Sequence, residues 1–294
     1  MYEKIKATAV TIKPKKWDKV FNAEKLESFF VQASHDRPDI ILATEGGLEG
    51  YVVTDVLENP ELGDAMIDIA EPLDGPYVKG FRRLAKTLNT CLCFGFAERI
   101  GNEAYNAAIF IDQLGEIRGH YHKTQLAEGT GPAWYYNRIG KAIRAFDTPF
   151  GKAGYMICND RWNPMIARTL VLDGAQFLLI PSYGSKSKGQ NQTVLARARE
   201  NGVPIVESNV GMGLIVSKGE IVAYKWGNDQ IVTADIEVPH AVSTNAARKH
   251  EQAFMKLRTP EMERRYRKTR DQLSNGDTDK LSWKFSGSSK GTNP

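Results

Sequence analysis

Short apolar runs alternate with longer amphipathic ones along most of the chain. "IKATAVTI" (5–12) and "DIILATE" (39–45) have the length and β-branched content of strands. Between them, "NAEKLESFFVQAS" (22–34) places Leu26, Phe29 and Phe30 at helical spacing, with Asn22 as the expected cap. This β-α-β order predicts a parallel pair joined by a helical crossover. Residues 75–90 read as a helix and 91–98, "CLCFGFAE", as a buried strand. Residues 105–123 read as a hairpin turning at Gln113, Leu114 and Gly115. "AGYMIC" (153–158) reads as a strand, and the helix after it has Asn163 as cap, Pro164 in its first turn and Gly174 as its stop. Further on come a strand over 175–182, a helix over 192–201 and a strand over 202–209. A hairpin with a Lys-Gly turn over 213–224 and a last strand over 230–238 complete the pattern.

The alternation runs without a linker until about residue 240, which predicts one α/β layered body with mixed sheets. The expected division is a body over 1–250 and a polar helical tail over 251–294, with a disordered end. Residues 256–270 carry seven basic and two acidic residues, which suits a solvated or subunit-packing surface, or a basic partner-binding helix.

Composition narrows the classes. With 41% hydrophobic residues among 294, the chain can bury a substantial core. A net charge of +4, from 39 basic and 35 acidic residues, is too mild to argue for nucleic acid as the main partner. No apolar run reaches the roughly 18 residues that span a membrane, and the start, "MYEKIKATAV", lacks a signal-peptide core. Three cysteines, Cys91, Cys93 and Cys158, match no metal-site spacing, so free thiols in a reducing cytoplasm are expected.

Cys158 stands where an apolar strand stops and a helix is about to begin. Ligands gather at such strand ends in α/β sheets, and amides near a helix start favour a thiolate. The backbone N–H groups of Asn159 and Asp160 could stabilise an oxyanion there. A buried structural cysteine is the competing reading. Glu45 and Lys123 also end expected strands, and a carboxylate in such a place is costly unless satisfied. A carboxylate can take a thiol proton and an ammonium can stabilise an oxyanion. Cys-His catalysis is the alternative, with His122 as its best base. His120 and His122, however, alternate with Tyr121 and Lys123 and so face away from Lys123.

Three segments in order then resemble the nitrilase superfamily, the carbon–nitrogen hydrolases: "ATEGGLEGY", "GHYHKTQL" and "GYMICNDRWNP". Flanking stretches, among them "FDTPFGKAGYMIC" and "ARENGVPIVESNVG", extend the likeness over roughly residues 5 to 240. The resemblance implies a four-layer α-β-β-α sandwich and a catalytic set of Glu45, Lys123 and Cys158. In that set Glu45 is the base, Lys123 and the Asn159 backbone N–H form the oxyanion hole, and Cys158 is the nucleophile. It implies a hydrolase of linear amides or N-carbamoyl compounds that works through a thioester, releases ammonia and needs no metal or organic cofactor. It further implies a homodimer or larger homo-oligomer, with neither nucleic acid nor membrane as partner.

"CNDR" resembles the carbamoyl-amino-acid hydrolases, in which an arginine at this offset can hold a substrate carboxylate, so Arg161 is the expected anchor. Pairing of Arg161 with a structural acid is the other reading. Trp162 and Met165 depart from that motif. The family's second glutamate has no match at its usual offset, which leaves Glu128 as its stand-in. Trp134 is expected to line the pocket or to pack a subunit contact. The alternative function is a catalytically inactive nitrilase-like binding or assembly protein.

Overall fold

In the computed structural model, residues 3–126, 137–184, 187–242 and 244–277 are described. β1 (Glu3–Val10) leads through α1 (Lys19–Ser34) to β2 (Ile40–Leu42). Then follow α2 (Val53–Glu58), α3 (Gly63–Ile69) and α4 (Pro76–Leu88). β3 (Cys91–Ile100), β4 (Glu103–Ile111) and β5 (Ile117–His122) form a meander, followed by β6 (Asn137–Arg138), β7 (Phe146–Thr148) and β8 (Gly151–Tyr155). A 3₁₀ turn over Cys158–Trp162 precedes α5 (Pro164–Leu172), β9 (Phe177–Ser182), α6 (Lys188–Asn201) and β10 (Ile205–Asn209). β11 (Met212–Ser217), β12 (Glu220–Trp226), β13 (Ile231–Val238) and α7 (Ala246–Ser274) follow.

The strands make two sheets. The first has the order β13-β1-β2-β3-β4-β5, with β6 on β4, and the second has the order β12-β11-β10-β9-β8-β7. Each has three parallel strands, β1-β2-β3 and β8-β9-β10, flanked by antiparallel ones. Alternate side chains decide the layers. Ile5, Leu42, Cys93 and Phe110 from the first sheet pack against Tyr155, Phe177, Leu179 and Ile215 from the second, forming the central layer. The opposite face of the first sheet packs Phe94 and Phe96 on Phe30 of α1 and Phe81 of α4. The opposite face of the second packs Leu178 and Ile180 on Leu170 of α5 and Val194 of α6. The fold is therefore the expected four-layer α-β-β-α sandwich. Among the described residues no helix is long and apolar enough to cross a membrane.

Local chemistry explains where elements begin. Asn163 accepts from Met165 N–H at 3.0 Å and Pro164 opens α5, as expected. The Lys-Gly turn between β11 and β12 has Lys218 and Gly219 both at positive φ (51° and 73°), the requirement of a tight hairpin turn. The cap of α1 differs from expectation. Asp18 accepts from Phe21 N–H at 3.1 Å, while Asn22 is buried and donates to the carbonyls of Lys15 and Leu48 at 2.7 Å. The helix over 192–201 begins earlier, at Lys188, behind a Ser187 cap. α2 and α3 were not expected, because segments of six and seven residues are too short to display a period.

Gly140 fixes the end of β5. Its N–H donates to Lys123 O at 2.9 Å, and a Cβ there would stand 2.0 Å from His122 O. Gly140→Ala is expected to lower stability by about 1–3 kcal/mol, read as a lower urea midpoint at unchanged slope.

Candidate functional site

Glu45 follows β2, Lys123 follows β5 and Cys158 follows β8, so three strand ends on two sheets meet. Glu45 is fully buried and Lys123 is 1% exposed. Lys123 Nζ donates to Glu45 Oε1 at 2.8 Å, and Asn106 Nδ2 from β4 donates to the same oxygen at 2.6 Å. Tyr183 N–H, just past β9, donates to Oε2 at 2.8 Å. The carboxylate thus has both oxygens satisfied, the condition for burying one.

Cys158 has φ +45°, a left-handed conformation that side chains other than glycine rarely adopt. Its Sγ lies 4.0 Å from Tyr183 O, and a Cβ on Gly184 would stand 3.2 Å from the sulfur. Asp160 holds this turn. It is fully buried and accepts from Ile157 N–H at 2.8 Å, Gln125 N–H at 2.8 Å and the Tyr121 hydroxyl at 2.9 Å. One carboxylate therefore ties the cysteine turn to the strand that carries Lys123. Of the two amides considered for an oxyanion, that of Asp160 donates to Ile157 O at 3.0 Å, which favours Asn159.

The electrostatics sort these groups. Burial alone would push the Lys123 ammonium down, but the charges of Glu45, Cys158 and Asp160 outweigh it and hold its pKa above the usual value. Burial, and then the Glu45 charge, push the Cys158 thiol up against the pull of Lys123 and Arg161. A thiol beside a fixed ammonium and a carboxylate results, so attack by sulfur requires a base. Burial raises Asp160 to about 6 against Lys123 and its hydrogen bonds. Burial likewise raises Glu49, whose Oε2 accepts from Ala97 N–H at 2.8 Å, to about 7.

The expected role of Arg161 is corrected. Its side chain is 1% exposed and every guanidinium nitrogen is taken. The guanidinium pairs with Glu207 on β10, donates to Ser182 Oγ, and places Nε 2.6 Å from Cys158 O. It braces the cysteine turn and is not free to hold a substrate carboxylate. His122 is no partner for the thiol either: it bonds Glu98 on the opposite face of β5. The expected Glu128 and Trp134 contributions lie outside the described residues. Asn106, Tyr183 and Asp160 were missed as supports. Asn106 had one sequence signal, its place on the first strand of the hairpin whose second strand leads to Lys123, and the Lys123 N–H donates to Asn106 O at 2.8 Å.

Two outcomes are expected. Glu207→Gln leaves a buried guanidinium without its counter-ion and costs about 3–5 kcal/mol of stability in chemical denaturation. For Glu49, a folded-state pKa of about 7 against the ordinary 4.5 means that the native state holds the proton longer. Stability then falls as pH rises through that window. Glu49→Gln should therefore gain on the wild type between pH 5 and pH 8, by up to about 3 kcal/mol.

The family model described as carbon-nitrogen hydrolase matches residues 6–246. A citrullinase of Francisella tularensis is 33% identical over 201 residues, covering 64% of this chain and 68% of the relative. An N-carbamoylputrescine amidase of Solanum lycopersicum is 29% identical over 225 residues, covering 72% and 70%. Among solved structures, Saccharomyces cerevisiae Nit3, described as a member of branch 10 of the nitrilase superfamily, superposes with a TM-score of 0.70 at 19% identity, covering 86% of this chain and 94% of its own. A carbon-nitrogen hydrolase from Helicobacter pylori G27 gives 0.67 at 21% identity, covering 87% and 95%.

Proposed function

Because the chain belongs to the carbon–nitrogen hydrolase family, we propose that it cleaves the C–N bond of a linear amide or N-carbamoyl compound through a Cys158 thioester, releasing ammonia. The observation that carries this reading is the buried Glu45–Lys123 pair at 2.8 Å, electrostatically coupled to Cys158. The Cys158 thiol passes its proton to Glu45 as sulfur attacks the carbonyl carbon. Negative charge collects on the carbonyl oxygen, where the Lys123 ammonium and the Asn159 N–H stabilise it. One such donor is worth about 3 kcal/mol of barrier. The C–N bond then breaks, and Glu45 returns the proton to the leaving nitrogen. Water attacks the thioester carbon and gives its proton to Glu45; the C–S bond then breaks, the carboxylic acid leaves, and Glu45 returns the proton to the Cys158 sulfur.

The raised pKa of Lys123 supports its part, since an ammonium that stays charged suits an oxyanion and not a base. The names of the citrullinase and N-carbamoylputrescine amidase relatives favour N-carbamoyl substrates. With Arg161 paired to Glu207, a substrate carboxylate is not required by this reading.

The test is ammonia release by purified protein across N-carbamoyl amino acids, N-carbamoyl amines, short amides and nitriles. Release from N-carbamoyl compounds or amides is expected. It should vanish in Cys158→Ala and fall by at least a hundredfold in Lys123→Ala, as when an oxyanion donor is lost. Asn106→Ala, which frees one bond to Glu45 Oε1, should lower kcat more than it raises KM. Release that persists in Cys158→Ala would overturn the thioester. No release from any compound would favour a binding or assembly protein.

A further inference from the structure

On the helix-facing side of the first sheet, away from Cys158, three side chains converge: Glu98 on β3, and His120 and His122 on β5. The strand between them is β4, where Ala107 pairs with Phe96 on one side and His122 on the other. Glu98 itself pairs with Tyr105, one step along the same face, and the methyl group of Ala107 leaves its side chain room to reach diagonally across β4. Its Oε2 lies 2.5 Å from His120 Nε2 and 2.7 Å from His122 Nε2, and the three atoms fall within 4.8 Å of one another.

The surroundings fix the donors. The Glu98 side chain is 3% exposed, whereas those of His120 and His122 are 31% and 20% exposed, so solvent reaches the cluster from the imidazole side. Tyr105 stacks on His122 at 4.2 Å, and the two imidazoles cross at 82° with centroids 4.6 Å apart. Two ring nitrogens therefore aim at one carboxylate oxygen. That convergence is what a single cation would use.

We propose that Glu98, His120 and His122 bind a divalent transition-metal ion of the zinc type, with solvent completing its coordination. Two imidazole nitrogens and one carboxylate oxygen suit zinc, cobalt or nickel, and not magnesium or calcium, which demand more oxygen ligands. A tetrahedral ion with bonds of about 2.1 Å holds its ligand atoms about 3.4 Å apart, so each imidazole has to withdraw by less than about 1 Å. The histidines lie at i and i+2 on β5, the spacing that puts two side chains on one face of a strand. The site does not rest on the proposed hydrolysis. It fastens β3 to β5 across β4, on the face of β5 opposite Lys123.

The test uses tag-free, chelator-stripped full-length protein in a Cys158→Ala background, which removes the thiol as a competing ligand. Zinc is titrated at neutral pH against a chromophoric chelator, with magnesium as control and cobalt as spectroscopic probe. One zinc per chain is expected, with no uptake of magnesium. The cobalt form should show visible bands of a four- or five-coordinate nitrogen and oxygen site. His120→Ala and His122→Ala should each weaken zinc binding by roughly a hundredfold or more, and His35→Ala should leave it unchanged. Circular dichroism shows whether each variant is folded; if His122→Ala is not, the more exposed His120→Ala decides, with Glu98→Gln as second reading. Zinc binding at millimolar strength or weaker in the folded parent overturns the proposal. So does tight binding that survives in both His120→Ala and Glu98→Gln.

Discussion

The buried carboxylate of Glu45 is the constraint on which the rest of the structure depends. A charge with no exposure is tolerated only when its oxygens are fully bonded and a counter-ion is close. Glu45 draws these partners from separate elements: Lys123 past β5, Asn106 on β4 and the Tyr183 amide past β9. Those elements belong to both sheets, so satisfying one carboxylate fixes how the sheets face each other at this end. Three apolar layers, one between the sheets and one under each helix face, supply the packing, and this carboxylate ties the two sheets together at the site.

A second tier of buried charge holds the cysteine turn. Asp160 and Arg161 lie within three residues of Cys158 and bond in opposite directions. Asp160 reaches the Lys123 strand through Tyr121, and Arg161 reaches β10 through Glu207. Between them they over-determine the backbone around Cys158, which is how a non-glycine residue persists at φ +45°. At this turn burial and the Glu45 charge push the Cys158 thiol up while the Lys123 ammonium pulls it down.

Much of this was legible in the sequence, for physical reasons. Apolar period and length give β1, β3, β9 and α5, because their buried faces demand that pattern. Caps and turns such as Asn163 and Lys218-Gly219 are local, so they read directly. Long-range partners are not local. Nothing adjacent to Arg161 tells that Glu207, on another strand, takes its charge. The same blindness hides Asn106 beside Glu45. For His120 and His122, alternation gives the right face of β5 but not the Glu98 that waits two strands away. α2 and α3 were missed because a helix of one or two turns carries no readable period.

The proposed mechanism requires that Lys123, held by Glu45 at 2.8 Å, make Cys158 the reactive thiol of this chain. Cys91 and Cys93 are buried in β3 and serve as internal controls, their thiols pushed up chiefly by burial, that of Cys91 to about 12. The direct measurement is the rate of iodoacetamide labelling at each cysteine, resolved by peptide mass spectrometry, in the wild type and in folded Lys123→Met. Labelling at Cys158 well ahead of Cys91 and Cys93, slowed at least about tenfold by losing the ammonium, is the predicted result. Equal labelling of the three thiols, or a Cys158 rate indifferent to Lys123, would contradict it.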